Sequence, residues 1–217
     1  LDCSIEGEDT GYDNDYTACG DKRSLYLPKT QQKLAEAVCD VCENVVVVLM
    51  CGSSIDLGEK VTNHAKAIIH AWYPGALGGL ALANILSGKV SPSGKLPITL
   101  YDGEHNVPDF EDYAMQGRTY RYIDGEALYP FGFGLSYTSY SYKNANADVA
   151  DDKITVTVDV TNCGSMNSTE KVQVYASYKD SRVATPHYQL CAIKSIELNA
   201  GETKTVSLDV DRYWIKA

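Results

Sequence analysis

The segment Ser4-Ile5-Glu6-Gly7-Glu8-Asp9-Thr10-Gly11 places three carboxylates within four residues. Like charges at that spacing raise one another's pKa, so one of them can hold a proton near neutrality and act as a general acid. The glycines suit an exposed loop that reaches a neighbouring domain. By residue type alone, the same segment also describes a solvated acidic loop. A second set, Trp72, Tyr113, Tyr120, Tyr122 and Tyr129, offers apolar rings with polar tips. Such rings either line a ligand site or pack a loop onto a sheet. Arg118 and Arg121 fit the pinning of that loop by charge-assisted hydrogen bonds.

Other combinations point away from chemistry. His64, His70, His105 and His187 show no zinc-ligand spacing. His64 and His70 fall on nearly opposite faces of one expected helix. Cys39 and Cys42 form a CxxC near the end of an expected helix, where a redox motif would sit at a helix start. Asp21, Lys22 and Arg23 precede the first helix, and Asp21 there suits a cap. No G-x-S-x-G elbow, Walker loop or Rossmann fingerprint occurs. No metal or organic cofactor is implied.

The formal charge of -10 at pH 7 argues against a nucleic-acid partner. The longest apolar stretch, Val45 to Cys51, is strand-sized, so no membrane partner is expected. The chain opens on Leu-Asp-Cys, without signal-peptide grammar or an initiator Met, and is expected to begin inside a longer polypeptide. Seven cysteines, odd in number and scattered, fit thiols in a reducing compartment, so a cytoplasmic location is expected over secretion. Asn167-Ser168-Thr169 is a glycosylation triplet of a length that arises by chance.

Two grammars position these residues. Pro28 can open a helix with an apolar stripe at Gln31, Leu34, Ala35 and Val38. Val45 to Cys51 follows as a strand covered on both faces, and Gly52-Ser53-Ser54 breaks it at its C-terminal end, where open α/β sheets hold ligands. Helices are expected over Glu59 to His70 and Gly79 to Leu86, then a short strand over Ile98 to Tyr101. Beyond Tyr137 the period becomes two, with strands around Ile154 to Val160, Val172 to Tyr178, Ile193 to Leu198 and Val206 to Val210. The expected fold class is α/β: a partial α/β sandwich domain over 1–136, with a long ordered loop at 102–136, followed by an incomplete β-sandwich over 137–217. About 80 residues are present for a sandwich that usually takes about 100, so at least one closing strand is expected to be missing.

Four stretches in order resemble glycoside hydrolase family 3. They are Trp72-Tyr73-Pro74-Gly75 with Gly78-Gly79 and Ala81 to Leu86, then Pro92-Ser93-Gly94-Lys95-Leu96-Pro97, then Gly117-Arg118-Thr119-Tyr120-Arg121-Tyr122, then Leu128 to Tyr137. The resemblance covers Gly20 to about Tyr142, and the remainder resembles the fibronectin type III-like domain that many members carry next.

That resemblance implies a retaining glycosidase whose site is shared between two domains. Such enzymes need two carboxyl groups about 5 Å apart, one nucleophile and one proton donor. The implied Asp nucleophile lies in a preceding (β/α)8 barrel, as a domain or a separate chain, and no barrel sequence or nucleophile motif is present here. Glu6 is the first choice for the acid/base and Glu8 the second; no substrate-binding residue is assigned. The implied substrate is an oligosaccharide or glycoside with a terminal non-reducing β-linked sugar, a β-xyloside or β-glucoside. Val107 to Tyr113 ahead of Gly117-Arg118-Thr119-Tyr120-Arg121-Tyr122 looks closer to the β-xylosidase-like members. The alternative is a non-catalytic module that binds carbohydrate or mediates assembly.

Overall fold

The computed structural model describes residues 24–103, 111–150, 153–211 and 213. Packing groups them into two compact units that interleave along the chain. The first comprises 24–82, 100–103 and 127–129; the second comprises 83–99, 111–126 and the described residues from 130 onward. No helix among the described residues is long and apolar enough to cross a membrane.

In the first unit, Pro28 caps α1 (Lys29–Val41), where its fixed φ suits entry into a helix. The helix packs through Ala35, a member of the expected stripe, and through Cys39, which is not, whereas Leu34 is 58% exposed and Val38 is exposed as well. Cys39 therefore lies in the last turn and Cys42 at the cap. The strand β1 (Val46–Leu49) follows, with Val47 and Leu49 buried. Val46 is exposed, so the strand is not covered on both faces.

The expected helix over Glu59 to His70 is two elements. Helix α2 (Gly58–His64) ends where the Ala65 N–H reaches Val61 O, and β2 (Ala67–His70) then runs parallel to β1. The β-branched pair Ile68-Ile69 accounts for the change, because it meets an open ladder along Val47 and Val48. His64 and His70 thus belong to different elements. The apolar centre of this unit joins Leu27, Cys39, Val47, Leu49, Cys51, Ile55, Leu57 and Val61. Helix α3 (Gly78–Leu86) forms as the sequence predicts. The expected strand at Ile98 to Tyr101 reduces to one bridge, Leu100 to Tyr129.

In the second unit, α4 (Thr119–Tyr122) is a single turn inside the expected loop. The β-sandwich comprises β3 (Tyr140–Ala150), β4 (Lys153–Asn162), β5 (Ser168–Ala176), β6 (Gln189–Leu198) and β7 (Thr203–Asp211). One sheet has the order β3-β4-β7 and the other pairs β5 with β6, all antiparallel. Val158 and Val160 from β4, Val172 from β5, Leu198 from β6, and Val206 and Leu208 from β7 fill the space between them. Strand β3 escaped the sequence reading because Asn144 to Asp148 is built of Asn, Ala and Asp, residues depleted in strands, and most of β3 is exposed. Its register also shifts between Lys143 and Asn146.

Candidate functional site

Glu6 and Glu8 lie outside the described residues, as do Asp9, Asp21, Lys22, Arg23 and His105. The site is therefore built from what surrounds the ends of β1 and β2 in the first unit. After β2, the Ala71 N–H still donates to Leu49 O at 2.8 Å, and the chain then turns at Trp72 with φ of 54°. Trp72 thus lies two residues beyond the end of β2. Its indole lies 4.1 Å from the His70 ring, tilted by 41°. His70 Nε2 is 3.3 Å from Ser53 O and 3.7 Å from Cys51 Sγ. Cys51 is buried, and its thiol also reaches Ser53 O at 3.7 Å.

Polar side chains fix the surrounding loops. Ser54 Oγ donates to Tyr101 O and accepts from Tyr101 N–H, both at 2.9 Å. Asp56 is buried; Oδ1 accepts from Gly58 N–H at 2.8 Å and Oδ2 from Gly103 N–H at 2.7 Å. One carboxylate thereby starts α2 and anchors the segment after Tyr101. Burial raises the Tyr129 pKa above the usual phenol value, and the nearby charge of Asp56 adds to it. The sequence reading missed Asp56; its only local signal is an Asp two residues before a glycine, a common turn pattern.

In the second unit, Tyr120 is buried and stacks on Phe131 at 4.2 Å, with Tyr175 and Tyr188 packed edge-on or tilted around it. Its hydroxyl accepts the Leu190 N–H at 3.0 Å. Of the two roles weighed for Tyr120, packing is the one it plays. Tyr113 is 87% exposed. Arg118 Nη2 donates to Asp112 O at 2.8 Å and so holds the loop as expected, whereas Arg121 sits 5.8 Å from the ring centre of its chain neighbour Tyr120. His187 pairs with Asp124 at 3.7 Å. His64 Nε2 donates to Cys42 O at 2.7 Å. The candidate rings do not form one set: Trp72 and Tyr129 belong to the first unit, and Tyr113, Tyr120 and Tyr122 to the second.

An α/β layer followed by a fibronectin type III-like β-sandwich is the architecture these residues build. Residues 2–137 match the glycosyl hydrolase family 3 C-terminal domain, and residues 170–216 match the fibronectin type III-like domain. The chain is 38% identical over 211 residues to a xylan 1,4-beta-xylosidase of Xylanibacter ruminicola, covering 96% of this chain and 24% of that protein. It is 37% identical over 225 residues to thermostable beta-glucosidase B of Acetivibrio thermocellus, covering 93% of this chain and 28% of that one. Among solved structures, DesR, a beta-glucosidase from Streptomyces venezuelae in complex with D-glucose, superposes with a TM-score of 0.81. The identity is 33%, with 88% of this chain and 27% of that one covered. The chain belongs to glycosyl hydrolase family 3. It spans about a quarter of the length of these relatives.

Proposed function

We propose that this chain is the acid/base-bearing part of a retaining β-glycosidase that removes terminal non-reducing β-linked xylose or glucose. The observation that carries the proposal is the continuous match over residues 2–137, which takes in the acidic segment around Glu6 and Glu8. The named activities of the relatives, a xylosidase and a glucosidase among them, supply the substrate class. The nucleophile, an Asp, is assigned to an N-terminal (β/α)8 barrel, as a domain or a separate chain. The exposed apolar residues Leu34, Val38 and Val41 on α1 support docking against further protein. The compartment proposed is the cytoplasm, on the cysteine pattern described above.

Glu6 is the proposed proton donor, with Glu8 in second place. Neighbours on one loop do not face opposite sides of one anomeric carbon, so the pair is not read as nucleophile plus acid. The test is an assay of the chain alone and with the barrel, on aryl β-xyloside and aryl β-glucoside. No turnover alone and turnover with the barrel are expected. Turnover by the chain alone, abolished by Glu6→Gln or Glu8→Gln, would place a nucleophile within these residues and overturn the split site. Sugar binding with no turnover in either form would favour a non-catalytic module.

A further inference from the structure

We infer that Trp72 is a stacking platform for a pyranose ring of the glycoside, with His70 and Cys51 behind it as positioning residues. The inference rests on the glycosidase reading above and adds a binding element to it.

The first observation is the backbone. Trp72 has a φ of 54°, a left-handed conformation that is unfavourable for a bulky side chain by about 1–2 kcal/mol. Strain of this kind persists where surrounding groups over-determine it, and it concentrates at ligand sites.

The second observation is where the strain sits. Trp72 lies just beyond His70, the last residue of β2, beside the segment that follows the parallel strand β1. Open α/β sheets hold ligands at the carboxyl ends of their strands. The indole is partly exposed and backed by the His70 ring, which contacts Ser53 O and the buried Cys51 thiol. The ring behind the indole is thus itself held by polar contacts to Ser53 O and Cys51 Sγ.

The third observation is the next residue. Tyr73 is 69% exposed and lies against Gly52, where a Cβ would meet its Cε2 at 2.8 Å and its hydroxyl at 2.9 Å. Two consecutive aromatic residues thus flank the ends of β1 and β2, one backed by His70 and the other lying over a glycine. Apolar C–H faces of a pyranose match an indole, and its hydroxyls match a phenol tip.

The test uses the full-length enzyme carrying this chain, with Trp72→Ala, Trp72→Phe, Cys51→Ser and His70→Ala. Trp72→Ala is expected to raise KM about ten-fold with kcat within about two-fold, the mark of lost uniform binding. Trp72→Phe should recover most of that loss, and His70→Ala should raise KM about three-fold. Cys51→Ser, which keeps a donor, should be milder than either alanine variant. An unchanged KM in Trp72→Ala would overturn the inference; a fall in Tm with KM unchanged would do the same and mark the ring as a protein contact. If the wild-type enzyme does not turn over, the glycosidase reading fails. The inference is then decided by titrating tryptophan fluorescence with methyl β-xyloside. A quench in the wild type that Trp72→Phe removes supports it, and no quench overturns it.

Discussion

Lys95 Nζ lies 3.6 Å from Glu170 Oε1, and the two side chains are 19% and 7% exposed. Lys95 also donates to Gly134 O at 3.0 Å, and Glu170 accepts from the Tyr142 hydroxyl at 2.8 Å. The arrangement ties the Pro92 to Pro97 segment and the Phe131 to Ser136 segment to β5. Backbone bonds between Leu96 and both Gly132 and Phe133 run alongside it. Two of the stretches by which the family is recognised are therefore held by a charge pair between a partly buried lysine and a buried glutamate. Replacing Lys95 with Met removes the cation beside Glu170 while the Tyr142 hydroxyl still donates to the carboxylate, and a loss of about 1–3 kcal/mol is expected. Lys95→Met combined with Glu170→Leu should recover most of it. Urea unfolding of the two variants measures both.

Gly132 presses on β5. Its φ is 80°, and a Cβ there would meet the Tyr175 hydroxyl at 2.5 Å and Gln173 Oε1 at 2.8 Å. Gly132→Ala combines backbone strain with overpacking, and a cost of about 1–3 kcal/mol is expected. Thermal unfolding should show a lower Tm. Gly88→Ala, also at positive φ but with nothing within 4 Å of its Cβ, should cost less.

Burial, with the neighbouring phenols Tyr120 and Tyr188, pushes the Tyr175 pKa up to about 12. The folded form therefore keeps its proton above the ordinary phenol value of about 10. Its contribution to stability is full below pH 10 and is lost as the pH rises through 12. Denaturation midpoints measured between pH 9 and pH 12 should fall over the upper part of this range, and Tyr175→Phe should flatten the fall.

Asp56→Ala removes the acceptor for the Gly58 and Gly103 N–H groups at once. Two donors are left without their carboxylate, and a cost of about 2–4 kcal/mol is expected. Hydrogen exchange at Gly103 should accelerate more than exchange in β5 or β6.

For Glu6→Gln in the full-length enzyme, hydrolysis of an unactivated disaccharide should fall by about 10²–10⁴. A dinitrophenyl glycoside, whose leaving group needs little protonation, should lose much less. Equal losses on both substrates would argue against an acid role for Glu6. The same pair of assays on Glu8→Gln decides between the two.

Much of this molecule was legible in its residues. The family stretches at Trp72, Pro92, Gly117 and Leu128 stand in the sequence as contiguous patterns. Four of the five sandwich strands follow from side chains alternating in and out, because a two-residue period reports burial locally. The helices α1 and α3 fall where Pro28 and the apolar spacing put them. The failures share one physical cause. Ile68-Ile69 reads as either helix or strand until an open ladder on β1 is available. Asn162 ends β4 at a turn, and no local pattern reports that it is fully buried. Its amide donates to Met166 O and Leu198 O and accepts from the Thr138 hydroxyl and Gly164 N–H.

What the sequence by itself determined is the class of most segments and the family. Periodicity and motif both depend on neighbours a few positions apart, so they survive without coordinates. Only the tertiary structure decided which face of α1 is packed, which partner meets Lys95, that Tyr120 is core, and that Trp72 turns left-handed onto His70. Each of these depends on groups far apart in the chain. Their pairing is set by how the strands and loops return to one another, and that information is absent from any local pattern.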